Sequence, residues 1–259
     1  MTDDIVVSRG WLAEHRDEVA VVDVRDAWEY DGIGHVPGAV NVPFGAFRSE
    51  SEATRGTLPG TDTFAEIVSE AGVRPDDTVV AYDDTHGVFA ARFLVTAEIY
   101  GHRDVRLLDG DYSAWNLEHE TTTDAPEVDP TEYAVDPPGD TVLIDRAAVE
   151  AAIDTDAVLV DTRDDWEFEE GHIPGAVNLD WKELVDDETR GLKPRDELEE
   201  VLGEYGITPD RRVILYCNTA RRISHTYVVL RHLGYEDVAF YEGSLTEWNE
   251  ADGPLERNG

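Results

Sequence analysis

The chain of 259 residues contains one cysteine, Cys217, and its surroundings could support nucleophilic chemistry. Cys217 begins the hexapeptide CNTARR, which ends in two adjacent arginines, Arg221 and Arg222. A thiolate is a strong nucleophile, and neighbouring positive charges or backbone N–H groups favour this ionised form. In many proteins a lone cysteine is instead a small buried apolar residue, which is the alternative here. The polar residues after Cys217 favour the nucleophile.

The elements on either side of this loop are predicted to hold the cysteine at a ligand-binding position. The segment 212–216 before Cys217 is typical of a buried strand, and 223–232 is typical of a helix that stops at Gly234. Ligands of parallel α/β sheets bind at the carboxyl ends of the strands, and a helix N-terminus directs several N–H groups at an anion. We therefore expect an anion site beside the sulfur. Its candidate residues are Asn218, Thr219, Ala220, Arg221 and Arg222.

The chain contains an internal duplication. The segment GHVPGAVN at 34–41 recurs as GHIPGAVN at 171–178. A Gly-x-x-x-x-Trp block follows in each half, at 110–115 and 243–248. Because the copies lie much further apart than the roughly 20–50 residues of a solenoid repeat, they indicate two homologous domains. We predict domains at 1–125 and 141–259, joined by a linker.

The predicted linker covers residues 126–140. It is rich in proline, threonine and acidic residues and lacks a sustained apolar period, which is typical of an extended connection.

Each half alternates strand and helix signals. The strands are short apolar runs without polar alternation, which suits strands that are covered on both faces. The predicted fold class is therefore α/β, with a parallel sheet flanked by helices in each of two homologous domains. In the first half, strands are predicted at 19–24, 78–81 and 105–108, with helices at 64–71 and 88–100. In the second half, strands are predicted at 157–160, 212–216 and 237–241, with helices at 146–153, 197–205 and 223–232.

The two halves differ at the cysteine. In the first half the corresponding strand runs into Asp83, and no arginine follows until Arg92. The loop after Asp83 is also about one residue longer than the loop after Cys217. A carboxylate cannot carry a sulfur atom, so we predict that the first domain is catalytically silent and that the second performs the chemistry.

The ordered set of repeated blocks, with a six-residue loop that begins at Cys217 in the second half only, resembles the tandem rhodanese family. This family comprises the thiosulfate and 3-mercaptopyruvate sulfurtransferases, and the resemblance covers nearly the whole chain. It implies that the Cys217 thiolate takes a sulfur atom from a small anionic donor and forms a persulfide. A thiophilic acceptor, such as cyanide, a thiol or a protein thiol, then removes the sulfur. The resemblance implies no metal and no organic cofactor.

The Asp-x-Arg sequence that precedes each repeated segment is predicted to be structural. Asp23 and Arg25 in the first half, and Asp161 and Arg163 in the second, are expected to form buried ion pairs beneath the loop. Because Arg163 lies in the half with the cysteine, it is also a candidate to contact the donor.

Three departures from the family pattern leave the donor open between thiosulfate and 3-mercaptopyruvate. The loop CNTARR matches neither the thiosulfate type, Cys-Arg-Lys-Gly-Val-Thr, nor the mercaptopyruvate type, Cys-Gly-Ser-Gly-Val-Thr. Ala220 stands where a glycine is usual, so we expect a negative φ at this position. Glu167 stands where both types carry a second arginine, four residues after Arg163.

Functions other than sulfur transfer either conflict with the spacing of the loop or stay open. Phosphatases and arsenate reductases with a related loop need an arginine six residues after the cysteine, and here that position is Ile223. A carrier that passes its persulfide to a partner protein, in tRNA thiolation or cofactor synthesis, stays open. A redox-sensing or scaffolding role is a weaker alternative.

The remaining histidines and tryptophans are expected to serve the fold. His225, eight residues after Cys217, is predicted to point away from the thiol or to pack. His35 and His172 occur in both halves, which favours hydrogen bonds to a turn backbone over catalysis, and the eight histidines show no metal-ligand spacing. The tryptophans of the repeated blocks are predicted to pack in a core or between domains. They are Trp28, Trp115, Trp166 and Trp248.

The composition is strongly acidic, with 58 Asp and Glu against 21 Lys and Arg and a net charge of −37. Because only two of the basic residues are lysines, we interpret the chain as a cytoplasmic protein of a halophile, in which salt screens self-repulsion. The charge argues against nucleic acid. No apolar run approaches the roughly 20 residues of a membrane span, and the first residues show no export signal. Arg221, Arg222 and the loop amides are expected to form a local positive island for the donor.

Overall fold

The computed structural model of the chain describes residues 5–51, 54–139 and 141–257. The chain forms two compact units. Unit 1 comprises Met1–Thr141 together with Asp186–Leu192, and unit 2 comprises Val142–Val185 together with Lys193–Gly259. This division differs from the predicted domain limits, because the predicted linker and a short segment of the second half both cluster with unit 1.

The predicted linker packs on unit 1. From residue 124 to residue 138 the chain forms no helix or strand, but its backbone is hydrogen-bonded to its neighbours. The N–H of Thr131 donates to the carbonyl of Ser69 at 3.0 Å, and the N–H of Asp136 donates to that of Tyr100 at 3.2 Å. Asp140, the last residue of the predicted linker, and the N-terminal residues 1–4 lie outside the described residues.

Unit 1 is a parallel sheet flanked by helices. Among the described residues the sheet has five strands in the order β1-β5-β4-β2-β3, all paired in parallel. The strands are β1 Val6–Ser8, β2 Ala20–Asp23, β3 Val40–Asn41, β4 Val79–Tyr82 and β5 Val105–Asp109. The α-helices are α1 Arg9–His15, α2 Ala27–Gly32, α3 Thr61–Glu70, α4 Val88–Ile99 and α5 Tyr112–Glu118, and a 3-10 helix covers Arg16–Glu18.

Unit 2 repeats this arrangement. Its described residues form a four-stranded parallel sheet in the order β7-β6-β8-β9. A single parallel bridge between Leu143 and Phe240 stands where unit 1 has its first strand. The strands are β6 Val158–Asp161, β7 Val177–Asn178, β8 Val213–Tyr216 and β9 Val238–Phe240. The α-helices are α6 Arg146–Ala152, α7 Asp165–Glu170, α8 Arg195–Glu204, α9 Arg221–Leu233 and α10 Ser244–Glu250, and a 3-10 helix covers Trp181–Leu184.

The structure confirms the predicted α/β class, and each predicted strand and helix is present within about three residues of its predicted limits. The two strands that precede the loops, β4 and β8, are buried along their whole length, as the apolar runs predict. In the described part of the chain, no helix is long and apolar enough to cross a membrane.

The four repeated tryptophans separate into two kinds. Trp115 and Trp248 are 1% and 0% exposed and belong to the hydrophobic cores of their units, which confirms their predicted packing role. Trp28 and Trp166 are 64% and 60% exposed, so the prediction was wrong for these two. They lie in the first turn of α2 and α7, short helices whose buried residues are Tyr30 in α2 and Glu167 and Phe168 in α7.

Candidate active site

A buried ion pair supports the end of the sheet in each unit. In unit 2 the Arg163 guanidinium lies 2.7 Å from the Asp161 carboxylate and also donates to the Gly171 carbonyl at 2.8 Å. In unit 1 the equivalent contact between Arg25 and Asp23 is 2.5 Å. Burial opposes the charge of Arg163, but its hydrogen bonds and attraction to Asp161 outweigh this effect and raise its pKa. Both predicted buried ion pairs are confirmed.

The repeated segment is joined to the strand that leads into the loop. The hydroxyl of Tyr216, the last residue of β8, accepts a hydrogen bond from the Ile173 N–H at 3.1 Å. The Nδ1 atom of His172 lies 2.9 Å from the carbonyl oxygen of Phe168. Since His35 makes the same contact with the Tyr30 carbonyl in unit 1, at 3.0 Å, the prediction of a fold role for both histidines is confirmed.

Cys217 directly follows β8 and lies four residues before the first residue of α9. It is 1% exposed. Its N–H donates to the Ser244 hydroxyl at 3.2 Å, and its carbonyl accepts from the Leu245 N–H at 2.9 Å. The Ser244 hydroxyl donates in turn to the Tyr241 carbonyl at 2.8 Å. The backbone of the cysteine is therefore fixed from the side of the Gly-x-x-x-x-Trp block.

Ala220 adopts the left-handed conformation, with φ 63° and ψ −7°. The prediction of a negative φ was wrong. Ala220 is the residue directly before α9, so the left-handed conformation lies where the loop joins the helix. Its carbonyl accepts a hydrogen bond from the Ser224 hydroxyl at 2.7 Å, and the residue is fully buried. Alanine thus takes the conformation that glycine adopts most readily.

The two loop arginines have different surroundings. Arg222 pairs with the Glu167 carboxylate, and its guanidinium lies 3.5 Å from the Asp164 carboxylate. Arg221 is half-buried. Burial and the neighbouring charge of Arg222 lower the pKa of Arg221, while the charge of Cys217 opposes that decrease. The predicted positive island is therefore offset at Arg222 by two carboxylates.

Two further predicted site residues belong to the loop itself. Asn218 and Thr219 are half-buried in the loop, and the Asn218 side-chain amide donates to Glu167 at 2.7 Å. Arg163 lies in the ion pair with Asp161, so its contact with a donor stays a prediction. His225 is fully buried and packs edge-on against Trp181, with ring centroids 5.1 Å apart, as the packing prediction requires.

Three residues that contribute to the site were not identified as such in the sequence. In the sequence Glu167 stands out only as a departure from the family arginine, and Ser244 lies inside a repeated block. No sequence pattern marks Lys182, which pairs with Asp164. A usable signal existed for Glu167, because Asp164 and Glu167 have the spacing of a capping box that places Glu167 at the first turn of a helix. Among the described residues, no group of three or more His, Cys, Asp or Glu side chains could hold a metal ion.

Over most of its length the chain is similar in sequence to proteins that are named as sulfurtransferases. A protein of Haloferax volcanii with the name "Putative thiosulfate sulfurtransferase" is 33% identical over 98% of this chain and 96% of its own length. A thiosulfate sulfurtransferase of Pseudomonas aeruginosa is 34% identical over 92% of this chain and 91% of its own. Among solved structures, SseA from Escherichia coli, a 3-mercaptopyruvate sulfotransferase, superposes with a TM-score of 0.83 at 28% identity. That superposition covers 92% of this chain and 98% of SseA.

The rhodanese-like domain family matches the chain twice, at residues 8–118 and 145–251. The first match lies within unit 1 and the second within the span of unit 2, apart from the short segment that clusters with unit 1. The resemblance seen in the repeated blocks is thus confirmed by matches that cover most of the chain, and the protein belongs to the rhodanese family, with two copies of the domain.

Proposed function

We propose that this protein is a sulfurtransferase that carries sulfur as a persulfide on Cys217. One observation carries the proposal: the single cysteine directly follows the buried strand β8 and precedes the N-terminus of α9. In the duplicate unit the equivalent position holds the Asp83 carboxylate, which accepts hydrogen bonds from four backbone N–H groups of the following loop and helix. The corresponding, shorter turn after Cys217 would direct its amides at the sulfur and stabilise negative charge there.

The first half-reaction would transfer one sulfur atom. With thiosulfate, the Cys217 thiolate attacks the outer sulfur, the sulfur–sulfur bond of the donor breaks, and sulfite leaves with the electron pair. With 3-mercaptopyruvate the carbon–sulfur bond breaks, the carbon keeps the electron pair and takes up the thiol proton, and pyruvate leaves. In both cases a Cys217 persulfide anion is formed.

The second half-reaction would return the enzyme to its thiolate. Cyanide or a small thiolate attacks the outer sulfur of the persulfide, and the sulfur–sulfur bond breaks toward Cys217. The products are thiocyanate or a new persulfide. Because Cys217 is 1% exposed, the buried position favours small donors and acceptors over direct approach by a thiol of a folded partner.

The loop residues would bind the donor during the first step. Asn218, Thr219 and Ala220 contribute backbone N–H groups, and Arg221 adds positive charge beside the sulfur. Arg222 closes the loop through its ion pairs. The first domain, with Asp83 in place of the cysteine, would be catalytically silent.

The test is intact mass spectrometry in high salt after each donor is added separately. We expect the protein to gain one sulfur atom with at least one donor and to lose it when cyanide is added. The Cys217→Ser variant should gain none. No mass gain with either thiosulfate or 3-mercaptopyruvate would overturn the proposal. The donor that gives the faster gain identifies the preferred substrate.

A further inference from the structure

The Glu167 carboxylate ties the first turn of α7 to both ends of the loop. Its Oε1 accepts a hydrogen bond from the Asn218 side-chain amide at 2.7 Å, and its Oε2 pairs with Arg222. Oε2 also accepts from the Asp164 N–H at 3.2 Å, which completes a capping box. The residue is 9% exposed, so this negative charge lies close to the loop with little solvent around it.

Beside the loop, the ion pairs around Glu167 carry more negative than positive charge. Three carboxylates take part, from Asp164, Glu167 and Asp180, and two cations, from Lys182 and Arg222. Lys182 is one of only two lysines in the chain, and it lies 3.0 Å from Asp180. With every group ionised, these five groups carry a net charge of about −1 at neutral pH, and Arg221, which also interacts with the charges of Glu167 and Asp164, brings the total to about zero. Glu167 therefore cancels positive charge that would otherwise attract an anionic donor.

Unit 1 separates the capping role of this glutamate from its role at the loop. Glu29 forms the same capping box, and its carboxylate accepts from the Asp26 N–H at 3.2 Å. The loop after Asp83, however, contains no arginine before Arg92. Capping is therefore common to both units, while the contacts with Asn218 and Arg222 belong to the unit that holds the cysteine.

We propose that Glu167 is a specificity-determining residue that shifts the donor preference toward donors with a single negative charge. The inference rests on the proposed sulfurtransferase function. A fixed negative charge beside the loop opposes a donor in proportion to the donor's own charge. The repulsion energy is therefore about twice as large for a dianion such as thiosulfate as for a monoanion such as 3-mercaptopyruvate. Glu167 acts through the loop and its field, as a positioning residue, and takes no part in bond formation.

The first test compares the two donors on the same preparation of Glu167→Gln. Glutamine keeps an oxygen for Asn218 but removes the charge. We expect the ratio of kcat/KM for thiosulfate to that for 3-mercaptopyruvate to rise about fivefold at low ionic strength and less in 1 M salt, where screening is stronger. The ratio does not depend on the fraction of active enzyme. A ratio that stays within twofold of the wild type overturns the inference.

The matched control is Glu29→Gln, which weakens the equivalent cap in the silent unit and should leave the donor ratio unchanged. If Glu167→Gln does not fold, Asp164→Asn carries the same test. It removes the second carboxylate near Arg222, and asparagine is an equally good N-cap. Its matched control is Asp26→Asn.

A second measurement needs no sulfur transfer. Iodoacetate and iodoacetamide have similar sizes but differ by one negative charge, and both alkylate only the one thiol of this chain. We expect the ratio of the iodoacetate rate to the iodoacetamide rate to rise about threefold to fivefold in Glu167→Gln and to stay constant in Glu29→Gln. If the wild type forms no persulfide, the proposed function fails and this ratio still decides the inference. If persulfide forms but the donor ratio stays within twofold of the wild type, the inference alone fails.

Discussion

Asp83 in unit 1 and Cys217 in unit 2 occupy equivalent positions, each directly after a fully buried strand and a few residues before a helix. The Asp83 carboxylate accepts from the N–H groups of Thr85 and Gly87 at 2.7 and 2.8 Å, and from those of Phe89 and Ala90 at 2.7 and 3.0 Å. Burial raises the pKa of Asp83, while these four donors act in the opposite direction. Unit 1 thus holds a buried, hydrogen-bonded carboxyl group where unit 2 holds a thiol.

The frames behind the two loops are the same. Tyr82 and Tyr216 each accept a hydrogen bond from a backbone N–H of the repeated segment, at 3.1 Å in both units. Because both units keep this frame and only one has a cysteine, the frame is a requirement of the fold. The two units therefore differ at the first residue of the loop and its neighbours, which is where the proposed chemistry would take place.

Exchange of Asp83 and Cys217, the first residues of the two loops, should have the largest effect on sulfur transfer. In Cys217→Asp we expect sulfur transfer to fall by at least about a thousandfold, because the only nucleophile is lost. In the double variant Asp83→Cys, Cys217→Asp, activity should not return. The loop of unit 1 has no arginine before Arg92. In addition, α4 begins five residues after Asp83, whereas α9 begins four residues after Cys217.

Intact mass after donor addition measures this exchange directly. A gain of one sulfur atom by the double variant would show that the first residue alone decides which unit is active. The difference in activity between the two units would then not depend on loop length or on the loop arginines.

Removing the Asp83 carboxyl group should reveal its structural role. In Asp83→Ala the four N–H groups lose their acceptor in a buried site, and we expect the free energy of unfolding of unit 1 to fall by about 3 kcal/mol. The matched change in unit 2, Cys217→Ala, deletes one buried sulfur atom and should cost only about 1 kcal/mol. Hydrogen exchange of amides in β4 and β8 measures each unit separately. Equal losses of stability in the two variants would contradict a structural role for Asp83.

The residue that follows the glycine of the Gly-x-x-x-x-Trp block also differs in charge between the two units. In unit 1 this residue is Asp111, fully buried, and its carboxylate lies 2.6 Å from the guanidinium of Arg190, which belongs to the segment that clusters with unit 1. In unit 2 the residue is Ser244, which accepts from the Cys217 N–H. A charged ion pair in unit 1 thus corresponds to a neutral hydrogen bond to the Cys217 backbone in unit 2.

Breaking the ion pair between Asp111 and Arg190 should cost stability in a pH-dependent way. Burial raises the pKa of Asp111, but hydrogen bonds from Arg190 and from two backbone N–H groups outweigh it, so the pKa lies below its ordinary value of 3.8. A depressed pKa contributes stability above pH 3.8 that is lost as the pH falls through the folded-state pKa. We expect Arg190→Gln to lower the free energy of unfolding by about 2 kcal/mol at neutral pH.

Denaturant unfolding at several pH values checks this expectation. The difference in the free energy of unfolding between wild type and Arg190→Gln should become smaller as the pH falls below 3.8. Ser244→Ala is the matched control, because its effect should not change with pH in that range. If the difference in the free energy of unfolding stays constant into strong acid, the stabilising effect of Arg190 does not depend on the ionisation of Asp111.

The contrast between the loops also shows how far the sequence leads. The strands, the duplicated frame and the place of Cys217 follow from apolar runs and repeated blocks, because these patterns report burial directly. The exposure of Trp28 and Trp166 does not, because a tryptophan in a short helix can face either side. The contacts of Glu167 with the loop depend on side chains 51 and 55 residues away in the chain, and no local pattern encodes them.

The residue directly before the helix is left-handed in both units, and it should show the smallest effects. Gly87 has φ 83° and Ala220 has φ 63°. A Cβ atom at Gly87 would lie 3.2 Å from a methyl group of Leu107. We therefore expect Gly87→Ala to lower the free energy of unfolding by about 1–2 kcal/mol, through the left-handed conformation and this contact.

The reverse change tests whether unit 2 tolerates strain beside its cysteine. Ala220→Gly relieves about 1–2 kcal/mol of left-handed strain but gives the unfolded chain about 0.4–1 kcal/mol of extra entropy. The expected net gain is therefore only about 0.5 kcal/mol, measured by denaturant unfolding in high salt. If Ala220→Gly instead lowers stability, the buried Cβ contributes more packing energy than its conformation costs. Alanine would then be favoured at this position by packing rather than merely tolerated.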